Sequence, residues 1–337
     1  MASRIRIAID SMGGDSGLHH SIPAAIQCLS LLPDLEIFLV GDQSEIANHI
    51  TIPPDLSSRL HIRHASQIIS MSEKPSYALR KKQDSSIRVA VDMLQAGEVD
   101  AVVSAGNTGA LMAIGCYVLK TLPGIDRPAI CSAMPTQNGH CYLLDLGANV
   151  DSSAEHLYQF AIMGSAMCSA VDGIESPKVA LLNIGEESIK GNEQVKLAAK
   201  LLSEDEQLNY QGFIEGDKIF HGNADVIVCD GFVGNVALKV CEGTAGYIAE
   251  IVKQEFRRNI LTKLLARLCL PVLKRVFHTL DPEQYNGASF LGLQGVVVKS
   301  HGASSAEGFV VAIKNAHSEV ERGMLDMIDK KLASLVE

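Results

Sequence analysis

The 337-residue chain contains no tryptophan, and aromatic residues make up only 5% of it. Without aromatics interleaved on a basic stripe there is no stacking platform for single-stranded nucleic acid. Positive charge is also in deficit: 29 Lys and Arg stand against 39 Asp and Glu, a formal net charge of −10. Such a surface repels a phosphate backbone, which argues against nonspecific nucleic-acid binding. No two of the eight cysteines form a C-x-x-C pair, so neither a zinc site nor thioredoxin-like chemistry is expected. Most of them sit in apolar runs and read as buried thiols, which suits a reducing compartment. No uncharged apolar run reaches the roughly 20 residues that cross a bilayer. Met1 to Asp10 has a charged strand pattern rather than that of a secretion signal. The expected location is the cytoplasm.

Glycine, by contrast, is plentiful at 28 residues, and it recurs in one theme. A short apolar run ends in a Gly/Asn/Asp/Ser cluster, and a helical pattern follows. The runs are Ile5 to Ile9, Ile37 to Val40, Ala101 to Val103, Tyr142 to Leu144, Val179 to Leu182, Val226 to Val228 and Val296 to Val298. Strands alternating with helices predict an α/β fold with a mostly parallel sheet covered on both faces. The runs are continuous rather than alternating, as doubly buried strands require. Ligands bind beyond the carboxyl ends of such strands, so the clusters predict one crevice shared by several loops. Ser21 before Pro23 suits a first helical turn. Ser85 or Ser86 would cap the helix carrying Val89 to Leu94, and Gly97 would stop it. No linker divides the chain, and residues 1–337 read as a single domain.

Four clusters carry chemistry. Ser104-Ala-Gly-Asn-Thr-Gly109 follows a strand and opens a helix, where free N–H groups and the helix dipole attract an anion. Ser104, Gly106, Asn107, Thr108 and Gly109 are therefore candidate phosphate ligands, unless the segment is only a tight capped turn. The sequence is neither a Walker loop nor a dinucleotide fingerprint. Asp230-Gly-Phe-Val-Gly-Asn235 has the same layout, with Asn235 either a functional amide or an N-cap. Asp145-Leu-Gly-Ala-Asn149 is similar, and Asp145, Asp151 and Asp230 could in principle hold a divalent ion, although no metal site is expected. Lys190, in Asn183 to Asn192, could neutralise a phosphate or be a solvated lysine. His301, just past a strand, could be an acid, a phosphate donor or a loop histidine. No Ser/His/Asp or Cys/His set and no G-x-S-x-G elbow is present, so no covalent mechanism is indicated.

Residues 256–280 break the theme. Arg257, Arg258, Lys263, Arg267, Lys274 and Arg275 occur there without an acid. Lys263, Arg267 and Lys274 share one side of a helix, while Leu264, Leu265 and Leu268 belong to an apolar side. Pro271 is expected to kink or split it. Contact with anionic lipid, docking of an acidic partner and packing of a dimer all remain open for this protruding amphipathic segment.

Six segments in order resemble bacterial phosphate acyltransferases, the acyl-ACP:phosphate acyltransferase or PlsX family. They are Ile9 to Asp15, Val103 to Met112, Leu144 to Asp151, Ala180 to Glu187 with Lys190-Gly191, Val228 to Val236, and Lys299 to Gly302. Arg80 and Ser85 to Arg88 also look familial. Gly17 is followed by Leu18 where the family often has Pro, which concerns only the shape of that loop. The resemblance implies a three-layer α/β/α, Rossmann-like fold similar to phosphotransacetylase and isopropylmalate dehydrogenase. It implies acyl transfer from acyl carrier protein to inorganic phosphate without a cofactor, in a homodimer of phospholipid biosynthesis. It implies peripheral association with the cytoplasmic membrane, where a membrane acyltransferase takes the product. Lys190, Asn149, Asn235 and His301 would then be catalytic, and Asp10, Gly13, Gly14, Arg88 and Asp230 would bind substrate. Two other functions fit the bare pattern: a metal- and NAD(P)-dependent decarboxylating dehydrogenase of related fold, and a non-catalytic scaffold for carrier protein on membranes.

Overall fold

The computed structural model describes residues 4–333, without the side chains of Phe277, His278 and Leu280. The N-terminal half runs β1 (Ile5–Asp10), α1 (Leu18–Leu31), β2 (Leu35–Gly41), α2 (Gln43–His49), β3 (Leu60–His64), α3 (Pro75–Lys81), α4 (Ser86–Gln95), β4 (Ala101–Ser104), α5 (Thr108–Val118), β5 (Ala129–Thr136), β6 (Gly139–Leu144) and α6 (Ala154–Asp172). The remainder is β7 (Lys178–Asn183), α7 (Glu193–Glu204), β8 (Asn209–Glu215), β9 (Val226–Val228), α8 (Gly231–Arg257), α9 (Ile260–Leu280), β10 (Ala288–Leu291), β11 (Val296–Lys299), α10 (Ala306–Glu321) and α11 (Met324–Ala333).

All eleven strands form one sheet, in the order β3-β2-β1-β4-β11-β10-β5-β6-β9-β7-β8. β3, β2, β1, β4 and β11 are mutually parallel, and so are β6, β9, β7 and β8. Between these blocks β10 is antiparallel to β11 and to β5, and β5 is antiparallel to β6. Three reversals leave the two parallel blocks running in opposite directions.

Alternation along the strands splits the core in two. Ile7, Ile9, Ala101 and Val103 face one apolar layer, against α1, α6, α10 and α11. Ala8 and Val102 face the other, against α4 and α5. Both faces are thus dry, which is why the strands read as unbroken apolar runs. The fold is the α/β class expected from sequence, with helices on either side of a mostly parallel sheet.

The start of α4 follows the sequence: Ser85 caps it by accepting from Arg88 N; Asn192 caps α7 and Ser305 caps α10. The start of α1 does not. It begins at Leu18, so Pro23 lies inside the helix, and Ser21 donates its hydroxyl to Ser11 O in the core. Near a helix start Pro removes only one ladder bond, which the burial of Ile22, Ala24 and Ala25 offsets. Helix α9 likewise continues through Pro271 as one element. The break between helices falls earlier, where Asn259 Oδ1 accepts from Thr262 N to open α9. Lys263, Arg267 and Lys274 line the groove against Val252 and Phe256 of α8. Leu264, Leu265 and Leu268 are 54%, 45% and 73% exposed, an apolar face with no cover. Among the described residues no helix is long and apolar enough to cross a membrane.

Candidate active site

The tips of β1, β4 and β11 lie side by side, with Asp10 in register with Ser104 and Ser104 with Lys299. Ser104 donates to Asp10 Oδ2 at 2.6 Å and accepts from Gly106 N at 3.0 Å. Asp10 is fully buried, and its Oδ1 lacks a well-formed hydrogen bond. Burial raises the Asp10 carboxyl above the ordinary carboxylate range, against the pull of Ser104, Ser86, Met12 N–H and Lys299. Gly13 packs directly over this pair: a Cβ there would sit 2.2 Å from Asp10 Oδ2 and 2.7 Å from Gly106 N. Gly14, with φ +83°, lies against Ala105 and Gly302 O. Asp15 N donates to Gly302 O at 2.9 Å, so the turns after all three strands form one packed unit.

Asn107 closes the unit. Its Oδ1 caps α5 through Ala110 N, and its Nδ2 donates to the carbonyls of Ser70, Met71 and Glu73. The side chains of Ser104 and Asn107 are therefore fully engaged in holding the turn. What remains for a ligand is the exposed first turn of α5, Thr108 and Gly109, with the N–H groups and dipole of a helix start. His301 stands at the neighbouring tip. Its Nδ1 accepts from Ala303 N at 3.3 Å, which in the neutral ring leaves the proton on Nε2 as an outward donor. Burial, then the charge of Lys239, lowers the His301 pKa, with Lys299 acting the same way.

A second cluster occupies the tips of β6, β9 and β7. The Leu144–Asp145 peptide bond is cis. Asp145 is buried and accepts from the N–H groups of Ile130, Gly147, Ala148 and Asn149 and from Asn149 Nδ2. Burial raises its pKa, and those bonds oppose the rise. Asp145 is thus the hub of its own loop rather than a metal ligand. Asn149 Nδ2 also donates to Pro128 O. Asp230, not Asn235, caps α8, accepting from Phe232 N and Val233 N. Asn235 lies one turn further in and donates to Leu146 O at 3.0 Å. Lys190, past β7, is exposed, and among the described residues no acceptor holds its ammonium. Among the described residues no three His, Cys, Asp or Glu side chains come together as a metal set.

The strand tips that the sequence assigns to one crevice belong to two oppositely directed blocks, because the three antiparallel pairings β11–β10, β10–β5 and β5–β6 lie between them. Helix α8 links the clusters. It starts at Asp230 in the second, and further along Lys239 and Glu242, ion-paired at 2.7 Å, act on His301 in the first. Arg88 belongs to neither: Asp92 holds its Nε at 2.8 Å and it lies over the Tyr117 ring. Its helix brings Ser86 to Asp10 instead. Lys299, given no site role from sequence although it opens the familial Lys299 to Gly302 segment, is buried at the centre of the first cluster. A lysine at a strand end is ordinarily solvated.

Against this geometry, a family model described as fatty acid synthesis protein matches residues 5–327. The chain is 54% identical over 337 residues to a phosphate acyltransferase of Halorhodospira halophila, covering 100% of this chain and 98% of that one. It is 54% identical over 331 residues to the phosphate acyltransferase of Pseudomonas fluorescens, covering 98% of each. Among solved structures it is similar to a phosphotransacetylase from Streptococcus pyogenes, with a TM-score of 0.63 and 18% identity over 95% of both chains. EutD phosphotransacetylase from Staphylococcus aureus gives 0.61 and 17% over 95% of this chain and 94% of that one; these likenesses concern the fold. The family match and the full-length relatives show that the chain belongs to the phosphate acyltransferase (PlsX) family, acyltransferases of fatty acid and phospholipid synthesis.

Proposed function

We propose that the protein transfers a long-chain acyl group from the thioester of acyl carrier protein to inorganic phosphate, yielding acyl phosphate and the carrier thiol. The observation that carries this reading is the exposed first turn of α5 near His301, whose pKa burial lowers, above the buried Lys299. A phosphate oxygen attacks the acyl carbon, the C–S bond breaks, and the sulfur leaves as a thiolate that takes a proton from solvent. Phosphate is largely ionised at neutral pH, as phosphate esters are, so the protein supplies position and charge rather than a strong base. The N–H groups of Thr108 and Gly109 and the Thr108 hydroxyl suit the dianion. His301 Nε2–H suits the developing oxyanion or the phosphate. Lys190, with its ammonium unengaged, supplies a mobile positive charge from the second cluster. Asn149 and Asn235 act by holding the Asp145 loop and the start of α8.

A homodimer with its α8–α9 projection on the anionic membrane face completes the reading. The uncovered Leu264, Leu265 and Leu268, with basic residues on the same helix, have the composition of an interfacial helix. There the product would reach a membrane acyltransferase before water hydrolyses it. The test is direct: purified protein, acyl carrier protein bearing a long-chain acyl group and phosphate, with acyl phosphate trapped by hydroxylamine. No phosphate-dependent hydroxamate would end the proposal. Lys190→Ala is expected to lower kcat/KM for phosphate about 100-fold, and wild-type kinetics would remove Lys190 from the site.

A further inference from the structure

Lys299 ends β11 and is 8% exposed. Its Nζ donates to Ala105 O at 3.1 Å and also to Ser300 O. Ala105 opens the turn after β4 and Ser300 the turn after β11, and the two strands are parallel neighbours. One ammonium therefore fastens the two turns from beneath. Ser300 N donates to Ser104 O at 2.9 Å, which ties the same turns a second time. A buried ammonium is costly, and an apolar side chain of the same length would fill the space without that cost. The charged groups acting on Lys299 are Asp10 of β1, Asp15 of the following turn and Lys239 of α8.

We propose that Lys299 is a positioning residue for acyl transfer, its bridging ammonium holding the first turn of α5 in register with His301. The inference rests on the reading that this turn receives phosphate, and not on the identity of the acyl donor. A second consequence is electrostatic. The Lys299 charge, with Lys239, opposes a proton on His301, while Glu242 and Asp15 favour one. Burial in turn pulls Lys299 itself down to about 8. Loss of its proton above that pH removes the charge beneath the site and weakens the clamp.

Lys299→Met and Lys299→Arg in the full chain test this. Lys299→Met is expected to lower kcat/KM for phosphate about 100-fold, chiefly through KM, because the turn is misplaced. Lys299→Arg, still charged, recovers part of that loss. In NMR titrations of the histidine rings, Lys299→Met raises the His301 pKa and Lys299→Arg leaves it in place. Wild-type KM for phosphate together with an unchanged His301 titration in folded Lys299→Met would overturn the proposal. If Lys299→Met does not fold, the wild-type profile decides: kcat/KM for phosphate should fall above about pH 8, and a level profile to about pH 10, near the ordinary lysine value, would overturn it. A protein that forms no acyl phosphate at all removes the functional reading, while the His301 titration still reports on the clamp.

Discussion

The Ser104 hydroxyl donates a hydrogen bond to Asp10 Oδ2 across the seam between two parallel strands, and neither residue is exposed to solvent. A buried carboxylate is tolerated there because Ser104 and the charge of Lys299 stand around it. Removing one member should leave the others uncompensated. Asp10→Asn is expected to destabilise the protein by about 2 kcal/mol, read by urea unfolding at pH 7. Adding Lys299→Met to Asp10→Asn should cost less than the sum of the two single changes, since no lone charge is left behind. Strict additivity across the four proteins would show that Asp10 and Lys299 do not interact.

On the opposite face of the sheet Glu319 is completely buried, with one oxygen held by the Ser289 hydroxyl and the other unpartnered. Burial raises its pKa from the ordinary 4.5 to about 8. The native state therefore binds a proton that the unfolded chain has released over this range. Its stabilising contribution is complete below pH 4.5 and is lost as pH rises through about 8. Glu319→Gln keeps the shape and a hydrogen bond to Ser289 but does not titrate. It should be more stable than wild type by a few kcal/mol at pH 8 and nearly equal at pH 5. Parallel thermal-stability curves for the two proteins from pH 5 to 8 would contradict this.

Two glycines of α8 make a matched pair. A Cβ on Gly234 would stand 1.9 Å from Asp145 O, whereas one on Gly243 meets nothing within 4 Å. Gly234→Ala should lift the start of α8 from the Asp145 loop, at a cost of about 3 kcal/mol, with loss of activity. Gly243→Ala should stabilise by up to about 1 kcal/mol, because alanine loses less backbone entropy in a helix. Equal effects on melting temperature would show that the close contact at Gly234 is not what holds α8 in place.

The exposed leucines of α9 predict a separable function. Replacing Leu264, Leu265 and Leu268 together by Asp should abolish sedimentation with vesicles containing anionic lipid. Because these side chains are uncovered in the fold, turnover in solution should persist. Undiminished vesicle binding would assign the projection to another partner.

The seven apolar runs read from sequence all became strands, in β1, β2, β4, β6, β7, β9 and β11, because burial on both faces demands continuous apolar stretches. The other four strands, β3, β5, β8 and β10, lack that signature. β3 at one sheet edge alternates Leu60 and Ile62 with His61 and Arg63, β8 at the other edge is interrupted by Gly212, and β5 carries Ser132 and Pro135. β10 is four residues long. Two of those four strands, β5 and β10, carry the antiparallel pairings that reverse the sheet, so the opposite directions of the two parallel blocks have no signature in the local sequence.

The chain by itself determined the α/β class, the glycine-rich strand tips, the cap at Ser85 and the family, since each is a local pattern of burial, turn geometry or motif order. Only the tertiary structure decided which tips adjoin, that Asn107 and Ser104 serve the turn rather than a ligand, and that Lys299 lies beneath it. Those outcomes depend on strand pairing and burial between residues far apart in sequence, and no local spacing encodes the dielectric around a side chain or the partner it meets.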